Sequence, residues 1–310
     1  MTGASGPRTY EEARRTHHDL GFDGAFLRKL ERLSLVTRRS MPGPTAGSRR
    51  SPRHGSSAEF ADFRDYSVGD DFRRIDWAAY ARLDRLFLRL YSAEEVTTLT
   101  LLLDRSRSMH FGHPSKARTA TRLAAVFSFI ALHNNDRVSV LGWGEKIDRA
   151  LPPQSGKALV PHVWRFISSL MAIPTPATDF AALREFGHHR RQAGLAVVIS
   201  DFLTESDWRS GLRALQINGQ EVTVIQVLSP EELEPGLRGD FNLRDSENDV
   251  EVEVTITPRL LRRYRAELEA HITSLRDFCR HEGMAFVQLP SDVSIPDTAM
   301  ASLRAAGVVG

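Results

Sequence analysis

Cysteine is almost missing: Cys279 is the single one in 310 residues. One thiol excludes an internal disulfide and a cysteine-rich zinc site, and it fits a reducing compartment. Long apolar runs are missing too. The longest apolar helical stretch, Leu123 to Leu132, falls well short of the ~20 residues that cross a bilayer and reads as a buried core helix. Met1 to Leu20 is polar and charged, without the apolar core of a signal peptide. A dominant charge is the third absence. The 41 Lys+Arg are offset by 39 Asp+Glu, for a formal net charge of +2. That argues against a chain that binds nucleic acid over its whole surface. What remains is a cytoplasmic globular protein, 41% hydrophobic and 26% charged, long enough for one large domain or two smaller ones.

The strongest local signal is Thr98-Leu99-Thr100-Leu101-Leu102-Leu103-Asp104, an apolar run with the length of a buried strand that ends in an aspartate. Leu195 to Asp201 repeats the pattern, and Val138 to Trp143 and Val222 to Leu228 are further strands. Helical stretches lie between them: from Ser115, a candidate N-cap, to about Asn134; over 157–171; from Thr178-Asp179 to about Gln192; and over about 206–217. Ile147 to Leu151 is placed as a hairpin partner of the 138–143 strand through Gly144-Glu145-Lys146. Strands alternating with helices predict an α/β protein with a doubly wound, mostly parallel sheet. Buried strands of such sheets are covered on both faces and present ligands at their carboxyl ends.

The flanks differ. Phe22, Phe26, Leu27, Leu30, Leu33 and Val36 recur at helical spacing, which predicts an amphipathic helix over 22–39. Residues 41–57 are rich in Pro, Gly, Ser and Arg and read as a loop or linker. Gly69-Asp70 signals a turn, and Tyr80-Ala81-Arg82 with Leu86 to Tyr91 is expected to form a strand entering the main sheet. Beyond Pro235, residues 240–243 and 250–256 alternate like an antiparallel ribbon. Thr257-Pro258 opens a long helix that ends at Gly283, and 285–289 is a last strand. The division expected is a flexible N-terminus (1–20), a helix, linker and polar-aromatic segment (21–95), a central α/β domain (96–235), a hairpin-helix-strand addition (236–295) and a weakly specified tail (296–310).

The chemistry concentrates at Asp104-x-Ser106-x-Ser108. Thr178 lies at the mouth of a helix, where its hydroxyl could cap that helix or bind a cation. Asp201 ends the second buried strand, and adjacent parallel strands would set its carboxylate beside Asp104. Two carboxylates so placed repel unless a cation or protons sit between them. Oxygen-only donors suit a hard cation such as Mg²⁺, with Mn²⁺ or Ca²⁺ as alternatives.

These five residues resemble the metal-ion-dependent adhesion site of von Willebrand factor A domains, Asp-x-Ser-x-Ser followed by Thr and Asp. The resemblance implies that Ser106, Ser108 and Thr178 hold the metal directly or nearly so, and that Asp104 and Asp201 act largely through water. It also implies one open coordination position, filled by a partner's Asp or Glu. Glu59-Phe60 through Tyr66-Ser67-Val68-Gly69-Asp70-Asp71-Phe72-Arg73-Arg74-Ile75-Asp76-Trp77, then Ala81-Arg82, is similar to the signature of the family named domain of unknown function fifty-eight. In that family the segment precedes an A-type domain, and members accompany MoxR-type AAA+ ATPases. An ATPase partner is therefore implied. Many relatives carry N-terminal membrane helices, which this sequence does not display.

Weaker signals have plainer explanations. Asp70, Asp71, Arg73, Arg74, Asp76 and Trp77 could form a partner-binding surface or an ion-paired turn that docks the N-terminal segment on the sheet. His110 and His113 have no cysteine or carboxylate cluster nearby to complete a transition-metal site. Cys279 falls on the apolar stripe of a helix and reads as inert packing. Arg49, Arg50 and Arg53 could touch phosphate, which makes nucleic-acid binding the second alternative function. Enzyme signatures are thin. There is no Gly-x-Ser-x-Gly elbow. Gln154-Ser155-Gly156-Lys157 has the ending of a nucleotide-binding loop, but Leu151 stands where its first glycine belongs. Position 106 lacks the second aspartate of a phosphoryl-transfer pair. A metal-dependent phosphoester hydrolase is the first alternative, since a bound cation can activate water. The function expected is Mg²⁺-dependent protein binding without catalysis, as an adaptor to an AAA+ ATPase in the assembly or maturation of another protein.

Overall fold

The computed structural model describes residues 20–36, 59–67, 72, 75–92, 96–189, 193–245 and 251–310. The expectations placed on 1–19, on the 41–57 linker with its arginines, and on the Gly69-Asp70 turn lie outside these residues. The chain divides into two compact units, 41–96 on one hand and 1–40 with 97–310 on the other.

The smaller unit holds β1 (Glu59–Asp65), α2 (Trp77–Leu83) and β2 (Phe87–Ser92). The Asp76 carboxylate accepts from the N–H groups of Ala78 and Ala79, both at 3.0 Å, and so caps α2. Here the expectation for 86–91 is corrected. The strand forms, but it pairs antiparallel with β1 in a separate two-stranded sheet, not with the main sheet. Tyr80 to Arg82 are helical because the Asp76 cap nucleates a turn just upstream of them.

In the larger unit, α1 (Gly24–Leu30) is followed by β3 (Thr98–Asp104), α3 (Lys116–His133), β4 (Arg137–Trp143), β5 (Ile147–Ser155), α4 (Val160–Met171) and α5 (Ala181–His189). The chain continues through β6 (Gly194–Ser200), α6 (Trp208–Ile217), β7 (Gln220–Leu228), α7 (Pro230–Leu233), β8 (Gly239–Arg244), β9 (Glu251–Ile256), α8 (Pro258–His281), β10 (Ala285–Pro290) and α9 (Met300–Ala305). Six strands form one sheet in the order β10-β7-β6-β3-β4-β5, parallel except for the antiparallel β4–β5 hairpin. The expected α/β architecture is present, with β8–β9 as the separate antiparallel ribbon. Ser115 caps α3 and Thr257 caps α8.

Strand alternation builds two cores. Leu99, Leu101 and Leu103 join α1, α3 and α4 on one face of the sheet. Leu102, with Val198 and Val224, joins α5, α6 and α8 on the other. Each such side chain, fully buried, contributes roughly 1.5–3 kcal/mol.

Two flanks depart from expectation. Among the described residues, the helix predicted over 22–39 is α1 alone, and 37–39 lie outside them. Phe22, Phe26, Leu30 and Leu33 are buried as its spacing requires, but the chain then extends. The N–H groups of Ser34 and Val36 donate to the carbonyls of Gly310 and Val308 at 3.0 Å each. A tertiary partner for the backbone replaces further helical turns. The tail over 296–310, weakly specified in sequence, is that partner, with Ala299, Met300, Leu303, Val308 and Val309 all buried.

Candidate functional site

The central strand β3 carries Asp104 to the carboxyl edge of the sheet between β4 and β6. Its carboxylate is 1% exposed. Oδ1 accepts from the Ser106 N–H at 2.8 Å and from the Thr178 hydroxyl; Oδ2 accepts from Ser200 Oγ at 2.6 Å. The hydroxyls of Ser106 and Ser108 lie 2.9 Å apart. The structure thus gathers Asp104, Ser106, Ser108, Thr178 and the strand-end Asp201 at one edge.

Backbone contacts hold Thr178 there. The Arg107 N–H donates to the Thr175 carbonyl and the Thr175 N–H to the Arg105 carbonyl, at 3.0 and 2.7 Å, so the 172–178 loop runs along the segment that follows β3. Arg105 is buried beneath it, donating to the Leu170 carbonyl at 3.1 Å and the Ile173 carbonyl at 2.8 Å and pairing with Asp148. Gly144 lets the loop approach. A Cβ there would come within 2.2 Å of Thr175 Oγ1. Thr178 does not cap its helix. Asp179 takes the Ala181 N–H at 2.8 Å, which leaves the threonine hydroxyl to Asp104.

Three functional candidates were not singled out by sequence. Ser200 bridges Asp104 and the Phe202 N–H, the latter at 3.0 Å. Lys116, at the first turn of α3, is completely buried, and its Nζ lies 2.7 Å from Asp201 Oδ2 while also pairing with Glu232. Glu232 had a readable signal, Ser229-x-x-Glu232, which forms a capping box. Lys116 had none, since an isolated lysine at a helix start ordinarily faces water. Phe202 is buried with φ of 57°. For a bulky residue this costs about 1–3 kcal/mol and is found where surrounding contacts over-determine the backbone.

Electrostatics separates the two aspartates. Burial, and then the neighbouring Asp201 charge, push the Asp104 carboxyl up from 3.8 to about 6, against the three hydrogen bonds it accepts. No lysine or arginine pairs with it among the described residues. For Lys116, burial alone would favour the neutral amine. The Asp201 and Glu232 carboxylates outweigh that and hold the ammonium above its ordinary range.

A hard cation fits this set on donor chemistry. Three hydroxyl oxygens and a buried carboxylate without a counter-charge are what such an ion requires. No group of three or more His, Cys, Asp or Glu able to hold a metal occurs among the described residues. His110 and His113 form no such cluster. His113 is exposed and donates its backbone N–H to Glu231 at 3.2 Å. Cys279 is buried, its thiol pushed up to about 12 by burial. Of the candidate partner surface, Asp70, Asp71, Arg73 and Arg74 lie outside the described residues. Asp76 is the α2 cap, and Trp77 is 59% exposed.

An α/β sheet with an oxygen-rich cluster at its carboxyl edge defines the class of the larger unit. The family follows from comparison. The chain belongs to the family described as "Protein of unknown function DUF58", whose model matches residues 62–274. An uncharacterized protein of Mycobacterium tuberculosis is 29% identical over 267 residues, covering 85% of this chain and 84% of that one. An uncharacterized protein of Mycobacterium avium is 31% identical over 147 residues, covering 46% of this chain and 85% of its own. Among solved structures, the conserved hypothetical protein BatB from Bacteroides thetaiotaomicron aligns with a TM-score of 0.41 at 16% identity, over 68% of this chain and 98% of that one. An aerotolerance-related membrane protein from Bacteroides fragilis aligns with a TM-score of 0.43 at the same identity and coverage. Likeness this loose informs neither site nor activity. No helix among the described residues is long and apolar enough to cross a membrane.

Proposed function

We propose that the larger unit is a von Willebrand factor A-type module that binds a protein partner through a divalent cation, Mg²⁺ above others, without catalysis. Ser106, Ser108 and Thr178 would hold the ion, and Asp104 and Asp201 would act around it, as in a metal-ion-dependent adhesion site. Bound there, the cation supplies a Lewis-acidic position that an acidic side chain of the partner can complete. The observation that carries this is Asp104, a buried carboxylate served only by neutral donors and set beside a second carboxylate. An AAA+ ATPase of MoxR type is the partner proposed, with the chain as its adaptor in maturing another protein. This part rests on family resemblance.

The hydrolase alternative gains no support from the geometry. Asp201 and Glu232 are both tied to Lys116, so neither is free to act as a general base. Nucleic-acid binding would rest on Arg49, Arg50 and Arg53, which lie outside the described residues.

The test is calorimetric titration of Mg²⁺, followed by affinity capture from lysate with and without EDTA. Asp104→Ala should lose both cation binding and EDTA-sensitive capture while remaining folded. Unchanged Mg²⁺ affinity in that variant sinks the metal reading.

A further inference from the structure

Lys116 has no part in the five-residue set, yet its ammonium is sealed beside Asp201, with none of its side chain exposed. Burying an ammonium costs several kcal/mol unless its partners are close and fully engaged. Both are. Asp201 gives Oδ2 to Lys116 at 2.7 Å, and its Oδ1 accepts from the Leu203 N–H at 3.0 Å. Glu232 gives one oxygen to Lys116 and the other to the Ser229 N–H at 2.8 Å. The 229–232 turn is itself held against the loop after β3. A Cβ on Gly112 would meet the Ser229 Cβ at 2.4 Å, and Tyr264 donates its hydroxyl to the Glu232 carbonyl at 2.8 Å. The ammonium therefore joins the start of α3, the end of β6 and the turn after β7.

We propose that Lys116 is a resident cation that restrains metal binding: it holds Asp201 in place when no metal is bound and competes with a divalent cation for that carboxylate. The inference rests on the cation-site reading above. An Asp201 spent on Lys116 offers less negative potential to an ion at Ser106, Ser108 and Thr178. The fold would then need no metal, and cation affinity would be set low enough to be governed by the partner's acidic side chain.

The experiment titrates Mg²⁺ calorimetrically, and follows thermal unfolding with and without MgCl₂, for four proteins: wild type, Lys116→Met/Glu232→Gln, Glu232→Gln and Asp104→Ala. The double variant removes one charge of each sign, so its net charge equals that of the wild type and only the competition is relieved. It should bind Mg²⁺ about tenfold more tightly, within the range usual for coupled sites, and gain more thermal stability from Mg²⁺ than the wild type does. Glu232→Gln keeps a paired lysine now devoted to Asp201, and should bind more weakly. Double-variant affinity equal to wild type, in a folded protein, overturns the inference. So does tighter binding by Glu232→Gln, which settles the matter should the double variant fail to fold. An absence of binding in every protein overturns it as well, because freeing Asp201 should create affinity. Loss of binding in Asp104→Ala with no gain in the double variant sinks the Lys116 inference alone. A gain in the double variant with Asp104→Ala unchanged supports Lys116 and sinks the assignment to Asp104.

Discussion

Asp104 and Asp201 leave neighbouring strands at the same sheet edge, equally buried, and are served by opposite kinds of partner. Asp201 faces an ammonium. Asp104 faces two hydroxyls and an amide. A neutral donor stabilises a buried carboxylate without cancelling its charge, and the field that remains is what attracts a cation. One half of this edge is already balanced as built; the other is left open to be balanced by something else. Substitutions that treat the two halves alike should therefore give unlike results.

The largest difference is expected from the isosteric pair. Asp201→Asn leaves Lys116 buried against Glu232 alone and should cost about 3 kcal/mol, the lower end for breaking a buried ion pair. Asp104→Asn removes a charge that burial disfavours while retaining an oxygen for Thr178 and Ser106. At neutral pH in EDTA it should be at least as stable as wild type. Urea denaturation of both decides, and equal losses would mean that the two halves do not differ. Ser200→Ala comes next. It deletes the 2.6 Å bond to Asp104 Oδ2, should cost about 1.5–3 kcal/mol as a bond to a charged acceptor, and should move the Asp104 titration above 6.

A smaller effect concerns pH. The Asp104 carboxyl titrates near 6 in the folded protein and near 3.8 when unfolded. The folded state therefore holds its proton more tightly. This group's contribution to stability is greatest at low pH and declines as pH rises from about 4 to about 6. A divalent cation requires the ionised form, so added Mg²⁺ should raise the unfolding temperature above pH 6 and have little effect below it. Thermal unfolding from pH 4 to 8, with and without Mg²⁺, gives two curves that should separate only on the alkaline side. Curves that separate equally across the range would place the ion elsewhere.

How much of this is legible in sequence follows the same division. Asp104, Ser106 and Ser108 stand within five positions of each other after an unmistakable strand, so local spacing reveals them. Thr178 and Asp201 become readable once β3 and β6 are taken as neighbours, since parallel strands align their carboxyl ends. Lys116 and Glu232 stay hidden. Their pairing spans 116 positions: Lys116 looks like an ordinary surface residue, and the Ser229-x-x-Glu232 pattern marks a helix start but not a partner for Lys116. The fold shows the same limit. Buried strands announce themselves by composition, whereas the pairing of 34–36 with 308–310 joins two segments far apart in sequence that carry no mutual signal. The pairing of β2 with β1 instead of the main sheet is hidden for a similar reason, since alternation shows that a strand exists but not which edge it joins.

The smallest expected effect on stability is also the sharpest test of the open half. The Ser108 hydroxyl is half-buried and, among the described residues, bonds to Ser106 Oγ alone, at 2.9 Å. Ser108→Ala breaks a bond between two neutral groups, worth about 0.5–1.5 kcal/mol, and takes that partner from the buried Ser106 hydroxyl. Urea denaturation should therefore place this variant within about 1.5 kcal/mol of wild type. If Ser108 is a metal ligand, calorimetry on the same sample should nonetheless show Mg²⁺ affinity sharply reduced. Ser200→Ala has the opposite profile, since its hydroxyl supports Asp104 but faces no proposed ion. A Ser108 variant that keeps wild-type affinity would leave Asp104 as a buried turn-forming carboxylate and the cluster as a structural one. One that loses affinity without losing stability separates binding from folding at a single hydroxyl.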